Sequence, residues 1–157
     1  MRVGIGYDVH PLKAGRALIL GGVRIEHPTG LDGHSDADVL THAVIDALFG
    51  AAAIGNIGTF FPATDERWKD VSSLELLKIA AETIRRAGYE IVNVDSTLIA
   101  EEPRLEPYTR SMKIKLSESL DLDSSAVSVK AKSPEGIGAL GQRAGIAAQA
   151  IVLIELK

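Results

Sequence analysis

Hydrophobic and polar positions alternate at the start of the chain and change period near residue 35. Residues 2 to 10, RVGIGYDVH, read as an opening β-strand. Successive side chains on a strand point to opposite faces, so Asp8 and His10 project together while Val9 turns the other way. They look like two converging ligands. The segment ALILGGVRI holds two aliphatic runs around Gly21-Gly22, the spacing of a two-residue hairpin turn. From Ser35 the pattern becomes helical. SDADVLTHAVIDALFGAAAIG offers Ser35 as N-cap, Asp36 and Asp38 in the first turn and a glycine past the end.

Residues 55 to 71, GNIGTFFPATDERWKDV, carry no period and predict a long loop, a kind of segment that often serves function. A second helix is predicted from about Ser73 to Ala87, with Leu74, Leu77, Ala81 and Ile84 on one stripe and Gly88 as its stop. YEIVNVDSTLIA returns to strand. After EEPRLEP a third helix turns Leu105, Tyr108, Met112, Leu116 and Leu120 inward, and AVSVKAK is a further strand. The last segment, GIAAQAIVLIELK, reads as a strand, although its alanines also admit a helix. With no repeat or linker, the pattern predicts one domain over residues 1–157: an α/β (α+β) sandwich with a mixed sheet and helices on one face.

Composition narrows the chemistry. The 157 residues are 46% hydrophobic and 24% charged, ordinary values for a globular chain, and the net charge is -4. No basic stripe appears, so a nucleic-acid partner is not expected. Any small anionic ligand must be met by metals, helix ends or a few local cations. The absence of cysteine excludes disulfides and thiolate zinc sites, leaving His, Asp and Glu as metal ligands. The N-terminus lacks a signal-peptide pattern and the longest aliphatic run cannot span a bilayer. The expected location is cytoplasmic with no membrane partner, a plastid being admitted only after removal of a transit peptide.

On the first predicted helix Asp38, His42 and Asp46 recur at i, i+4 and i+8. Its apolar stripe lies at Val39, Ala43 and Ala47. His42 could join Asp8 and His10 in a three-ligand zinc site with an open fourth position, the arrangement of catalytic zinc. A neighbouring carboxylate would then receive its second ring N–H. Equally, His42 could be a satisfied or solvent-facing histidine beside two helix acids. His34 and Ser35 precede the helix and are either loop and cap or part of an anion site on first-turn amides. His27 suggests only a loop.

GIGALG, residues 136 to 141, matches a dinucleotide fingerprint, but the acid required about 20 residues later has no place before residue 157. Its glycines are expected to allow close backbone approach. Lys132, Ser133 and Glu135 supply a cation, a hydroxyl and a hard oxygen ligand, a set that suits a phosphate with Mg²⁺, while Pro134 suggests a turn. A Ser-His-Asp hydrolase has no nucleophile elbow here.

GYDVH, GHSDADVLTHAVIDALFGAAAIGNIGTFFPATD, NVDSTLIAEEPRL and VKAKSPEGIG, in this order, resemble the 2-C-methyl-D-erythritol 2,4-cyclodiphosphate synthase family of the non-mevalonate isoprenoid pathway. The resemblance implies a homotrimer with active sites between neighbouring subunits. It also implies a phosphorus-oxygen lyase that converts 4-diphosphocytidyl-2-C-methyl-D-erythritol 2-phosphate to the cyclic diphosphate and CMP. Asp8, His10 and His42 would hold zinc, or another divalent transition metal, and Glu135 would help hold Mg²⁺ or Mn²⁺. His34 and Ser133 would stabilise the transition state. Ser35, Asn56, Ile57, Gly58, Phe61, Pro62, Ala63, Thr64 and Asp65 would meet the methylerythritol moiety. The cytidine would lie against Ala100, Glu101, Glu102, Pro103, Arg104, Leu105 and Glu106, with Ala131, Lys132 and Ser133, of a neighbour. Val9 would contribute its backbone between two ligands, and Pro134 would flank Glu135.

Against the family pattern, Asn56 and Ala63 stand in place of Asp, and Ser133 in place of Thr. Ala139 replaces Phe and Gln142 replaces Arg, with Arg143 one position later. On a strand that step reverses the face, and prenyl diphosphate binding in a central trimer cavity is left unsupported. The competing readings are a metal-dependent phosphohydrolase and a non-catalytic trimeric nucleotide- or metal-binding module.

Overall fold

In the computed structural model, which describes residues 1–157, the opening strand β1 runs over Arg2–Ala14, past the predicted end at His10. The hairpin forms as its glycines predict: β2 (Leu18–Leu20) pairs with β3 (Val23–Ile25), and Gly21 and Gly22 both take positive φ, at 54° and 71°. β4 (Thr29–Leu31) pairs antiparallel with the end of β1.

The first helix, α1 (Val39–Ala52), starts four residues after Ser35. Its N-cap is Asp38, whose side chain accepts the Thr41 N–H, so the expected Ser35 cap is corrected. Both residue types cap well, and the sequence places them three apart. Only Asp46 and Gly50 of α1 escape burial. The helix is therefore apolar nearly all round rather than on one stripe, as a central helix must be.

The expected loop at 55 to 71 contains a one-turn helix, α2 (Ile57–Phe60), capped by Asn56, and a 3₁₀ turn at Glu66–Trp68. Elements this short leave no period to read. Aromatic contacts hold them: Phe60 stacks on Phe49 at 4.2 Å, and Trp68 meets Phe61 edge-on at 5.1 Å. α3 (Ser73–Arg86) follows, then β5 (Tyr89–Ile99) and α4 (Thr109–Leu120), which buries Met112, Leu116 and Leu120. β6 (Val127–Lys132), the short α5 (Gly138–Gly141) and β7 (Gly145–Leu156) complete the chain, so the final segment is a strand and not a helix.

The main sheet has the order β4-β1-β7-β5-β6, with β5 and β6 parallel and the other neighbours antiparallel. It is mixed, with α1 laid on β1 and β7 and with α3 and α4 beside it. Close approach of α1 depends on glycines in β1. A Cβ on Gly4 would lie 2.0 Å from the Ala47 carbonyl oxygen, and one on Gly6 would lie 1.9 Å from that of Ala43. Gly4 and Gly6 share their strand face with Asp8 and His10, so the backbone contact that seats α1 also brings its first turns to those ligands.

The opposite sheet face is uncovered and apolar: Val3, Ile5, Tyr7 and Val9 are 67%, 63%, 56% and 47% exposed, with Ile151 on the neighbouring strand. After β6, a Cβ on Gly141 would lie 2.1 Å from the Gly136 carbonyl carbon, the close approach expected of GIGALG. Gln142 and Arg143 lie in the turn before β7, Arg143 at φ 64°, so the face-reversal argument made for a strand does not apply to them.

Candidate active site

Three side chains meet where α1 crosses β1. Asp8 Oδ2 lies 2.9 Å from His10 Nε2 and 3.1 Å from His42 Nδ1, and the two histidine nitrogens are 3.3 Å apart. His10 Nδ1 is 2.8 Å from the Asp32 carbonyl oxygen. A carbonyl only accepts, so Nδ1 carries a hydrogen; in the ion pair Nε2 donates to Asp8, and once that proton leaves Nε2 presents its lone pair to a metal. Burial works against charge on Asp8, but its hydrogen bonds to His10 and His42 outweigh it and hold the carboxyl below the usual range. His10 is desolvated too, and its hydrogen bond and charge attraction to Asp8 still raise its pKa.

The donor set suits a divalent metal ion. Metal–ligand bonds of about 2.0–2.2 Å in a tetrahedron put ligand atoms about 3.3–3.6 Å apart. Of the spacings here, 3.3 Å reaches that range and 3.1 and 2.9 Å are shorter, so the three atoms would spread a few tenths of an ångström around an ion. Two imidazoles and a carboxylate form one triangular face and leave a fourth direction open to the cavity.

The helix acids do not orient His42 as expected. Asp38 is fully buried and accepts from the Gly21 and Gly22 amides at 2.8 and 2.7 Å and from Thr41 Oγ1 at 2.7 Å, pinning the β2–β3 hairpin to α1. Desolvation and the neighbouring Asp36 raise its pKa, while these donors oppose the rise. Asp46 accepts the Ile57 N–H at 2.7 Å and holds α2. His42 Nε2 instead meets Ser73 Oγ at 2.9 Å and Ser35 Oγ at 3.1 Å. Sequence reading missed Ser73 because it lies 31 positions from His42 and carries only the signature of a helix start.

A cavity of about 250 Å³ opens over the cluster, lined by Asp8, His10, His42, His34, Ser35, Ile57, Gly58, Phe61, Ala63 and the unforeseen Trp68 and Leu76. Asn56, Pro62, Thr64 and Asp65 are not among its walls. Asn56 caps α2, and Asp65 pairs with Arg67 at 2.6 Å while its carbonyl meets His34 Nε2 at 3.1 Å. Val9 points to the open sheet face, and its N–H donates to Asp8 Oδ1 at 2.9 Å. The expected anion site on first-turn amides is corrected: Val39, Leu40 and Thr41 are completely buried and Asp38 takes the Thr41 N–H. His27 bonds locally to Thr29, as a loop residue.

A second cavity of about 290 Å³ gathers Ala100, Glu101, Pro103, Arg104, Leu105, Glu106, Ala131, Lys132 and Ser133. Glu102 lies outside it and pairs with Arg143 at 3.0 Å; Pro134 and Glu135 also lie outside its lining. Ser133 Oγ accepts the Glu135 N–H at 2.9 Å and donates to Glu101 at 3.3 Å. Both cavities sit at one end of the sheet, since Asp8 and Leu98 each pair with Ala148, and Leu98 pairs with Ala131. Yet β1 and β6 are three strand spacings apart, about 14 Å. Neither Ser133 nor Glu135 lines the cavity over Asp8, His10 and His42.

The family model described as the YgbB family matches residues 1–155. A relative from Syntrophomonas wolfei, named 2-C-methyl-D-erythritol 2,4-cyclodiphosphate synthase, is 56% identical over 155 residues, covering 99% of each chain. One of the same name from Prochlorococcus marinus is 49% identical, covering 99% of this chain and 95% of its own. Among solved structures, the bifunctional IspDF of Campylobacter jejuni superposes with a TM-score of 0.95 at 38% identity, over 99% of this chain and 42% of that longer one. The IspF of Plasmodium falciparum, solved as a CDP complex, gives 0.87 at 33% identity, over 99% and 96%. With a matching mixed α/β fold and a family model that spans nearly all of it, the chain belongs to the YgbB family, that of the 2-C-methyl-D-erythritol 2,4-cyclodiphosphate synthases.

Proposed function

We propose that the chain converts 4-diphosphocytidyl-2-C-methyl-D-erythritol 2-phosphate to 2-C-methyl-D-erythritol 2,4-cyclodiphosphate with release of CMP. The carrying observation is the convergence of Asp8 Oδ2, His10 Nε2 and His42 Nδ1 at the wall of a cavity of about 250 Å³. An oxygen of the 2-phosphate attacks the β-phosphorus, the new P–O bond closes the ring, and the bond from the β-phosphorus to the CMP oxygen breaks. CMP leaves with that oxygen and its electron pair, so no protein nucleophile is required.

The work of the chain is positioning and charge neutralisation. Asp8, His10 and His42 would hold zinc, and Glu135 would hold Mg²⁺ or Mn²⁺. Bound there, the two cations supply Lewis-acid neutralisation of the phosphate oxygens, which a chain of net charge -4 does not provide through its overall field. His34 and the Ser133 hydroxyl would donate to phosphate oxygens as charge develops. Ser35, Ile57, Gly58, Phe61 and Ala63 would enclose the methylerythritol and exclude water, which favours ring closure over hydrolysis. Asn56, Pro62, Thr64 and Asp65 would shape that loop from behind. The backbone of Ala100–Glu106 and Ala131–Ser133 would receive the cytidine.

These groups meet if the assembly is a homotrimer in which the second cavity of one copy faces the metal cluster of the next. The exposed row Val3, Ile5, Tyr7 and Val9 supports this, because a contiguous apolar sheet face of that kind marks a protein interface. No helix is long and apolar enough to cross a membrane, and a cytoplasmic location belongs to the same reading.

Incubating the purified protein with the diphosphocytidyl substrate, Zn²⁺ and Mg²⁺ and following ³¹P NMR tests the assignment. Equimolar CMP and cyclic diphosphate are expected. The open-chain 2,4-bisphosphate with CMP would make the chain a phosphohydrolase, and tight CMP binding with no turnover would make it a binding module.

A further inference from the structure

Asp36 and Ser73 stand behind His42 in a way that the proposed reaction does not use. Ser73 is the first residue of α3 and is completely buried. Its N–H donates to Asp36 Oδ2 at 2.9 Å, and its hydroxyl makes a very short hydrogen bond to Asp36 Oδ1. The same hydroxyl oxygen is 2.9 Å from His42 Nε2. Ser72, the N-cap of α3, makes no side-chain cap bond, so the acid that receives an α3 amide comes from the loop before α1. The Asp36 N–H in turn donates to the Val71 carbonyl at 3.1 Å.

The direction of every bond in this chain follows from the carboxylate. Ionised Asp36 only accepts, so the single Ser73 hydroxyl hydrogen goes to Oδ1. The Ser73 oxygen then keeps only lone pairs for His42, and Nε2 must be the donor. With Nε2 committed to Ser73, it is the Nδ1 proton, held by Asp8 Oδ2 at 3.1 Å, that a metal displaces, and the Nδ1 lone pair then faces the ion beside Asp8 Oδ2 and His10 Nε2. Ser35 Oγ, 3.1 Å from Nε2, accepts the Ala37 N–H, and with its own hydrogen turned to Ser73 Oγ at 3.5 Å it is a second acceptor on the same side.

We infer that Asp36 and Ser73 are positioning residues that lock His42 in its Nε2–H tautomer, keeping Nδ1 free to bind a metal. The inference rests on Asp8, His10 and His42 being the metal seat. A carboxylate that fixes an imidazole through an intervening hydroxyl performs the orienting role usually given to a direct carboxylate–histidine bond. It also joins three elements, since the pre-α1 loop, α1 and the α3 N-terminus each contribute one member.

The discriminating variant is Asp36→Asn. The amide oxygen still accepts the Ser73 N–H, but if its NH₂ turns to the Ser73 oxygen, the hydroxyl hydrogen is released toward His42 Nε2. The hydrogen-bond direction reverses without loss of volume. Long-range ¹H–¹⁵N correlation on the wild-type protein is expected to show the His42 hydrogen on Nε2, in its bond to Ser73. Asp36→Asn should populate the Nδ1–H form. Competition with a chromophoric chelator should show zinc binding weakened about 10- to 100-fold in Asp36→Asn and Ser73→Ala, with circular dichroism unchanged. An Nδ1–H tautomer in the wild-type protein overturns the inference even if both variants fail to fold. So does unchanged zinc affinity in folded Asp36→Asn. Failure of the wild-type protein to bind zinc would instead overturn the metal seat and leave the tautomer measurement to judge the lock.

Discussion

Gly6 lies against the Ala43 carbonyl oxygen so closely that a Cβ at Gly6 would be 1.9 Å from it. No flexible side chain is available to give way, because the opposing atom is helix backbone. Gly6→Ala is therefore expected to push α1 off β1, at a cost of about 1–3 kcal/mol or more, as for overpacked cores. The same shift separates His42 from Asp8 and His10, so metal content should fall together with stability. Urea denaturation with elemental analysis checks both; a variant that keeps wild-type stability and zinc would show that the helix does not depend on this contact.

The convergence of Asp8 and His10 was legible from strand period alone, and His42 was within reach once the helix was recognised. The three helices, the hairpin and most strands followed from period and glycine placement for the same reason: each is long or sharply punctuated. What orients His42 was not legible. Asp38 and Asp46 occupy the right helix face, but Asp38 is taken by the Gly21 and Gly22 amides and Asp46 by Ile57. The actual partner, Ser73, reaches His42 only through the packing of α3 on α1, a long-range contact with no local signature. Likewise α2 and the Trp68 turn are set by aromatic packing rather than by a repeat.

His42→Ala removes one of three ligands and opens the cluster. Zinc retention on gel filtration is expected to be lost, and CMP release to fall at least about 100-fold if the bound metal carries most of the charge neutralisation. Asp8→Asn should behave alike, since it discards the only negative ligand. CMP formation at the wild-type rate in His42→Ala would remove that residue from the site.

The metal-free protein should carry a pH signature from the Asp8–His10 pair. The Asp8 pKa is lowered, so its contribution is present above about 4, the unfolded value, and is lost as pH falls through the folded one. The His10 pKa is raised, so its contribution is complete below about 6.5 and is lost as pH rises through the folded value. The pair therefore stabilises most between about pH 4 and 6.5. Comparing Tm of chelator-treated wild type and His10→Gln should show the wild-type advantage shrinking from pH 6 to 9. Zinc affinity should move the opposite way, rising with pH as protons leave the ligands. A Tm difference independent of pH would mean that the pair is not ionised as drawn.

Ile5 is 63% exposed on the sheet face away from the cavity and belongs to the apolar row through Val9. If that face joins copies of the chain, Ile5→Lys should give a folded monomer by light scattering and lose most CMP release, although residue 5 touches neither cavity. The sharing of sites can be tested more directly by mixing two inactive variants, His42→Ala and Glu135→Gln, under conditions that exchange subunits. Each variant alone lacks one half of every site. In an equal random mixture, about a quarter of the interfaces would pair the intact His42 of one copy with the intact Glu135 of its neighbour. Activity should therefore recover to about a quarter of the wild-type value. No recovery, with exchange verified by native mass spectrometry, would place His42 and Glu135 in the same copy's site, against the roughly 14 Å that separates β1 from β6 within one sheet.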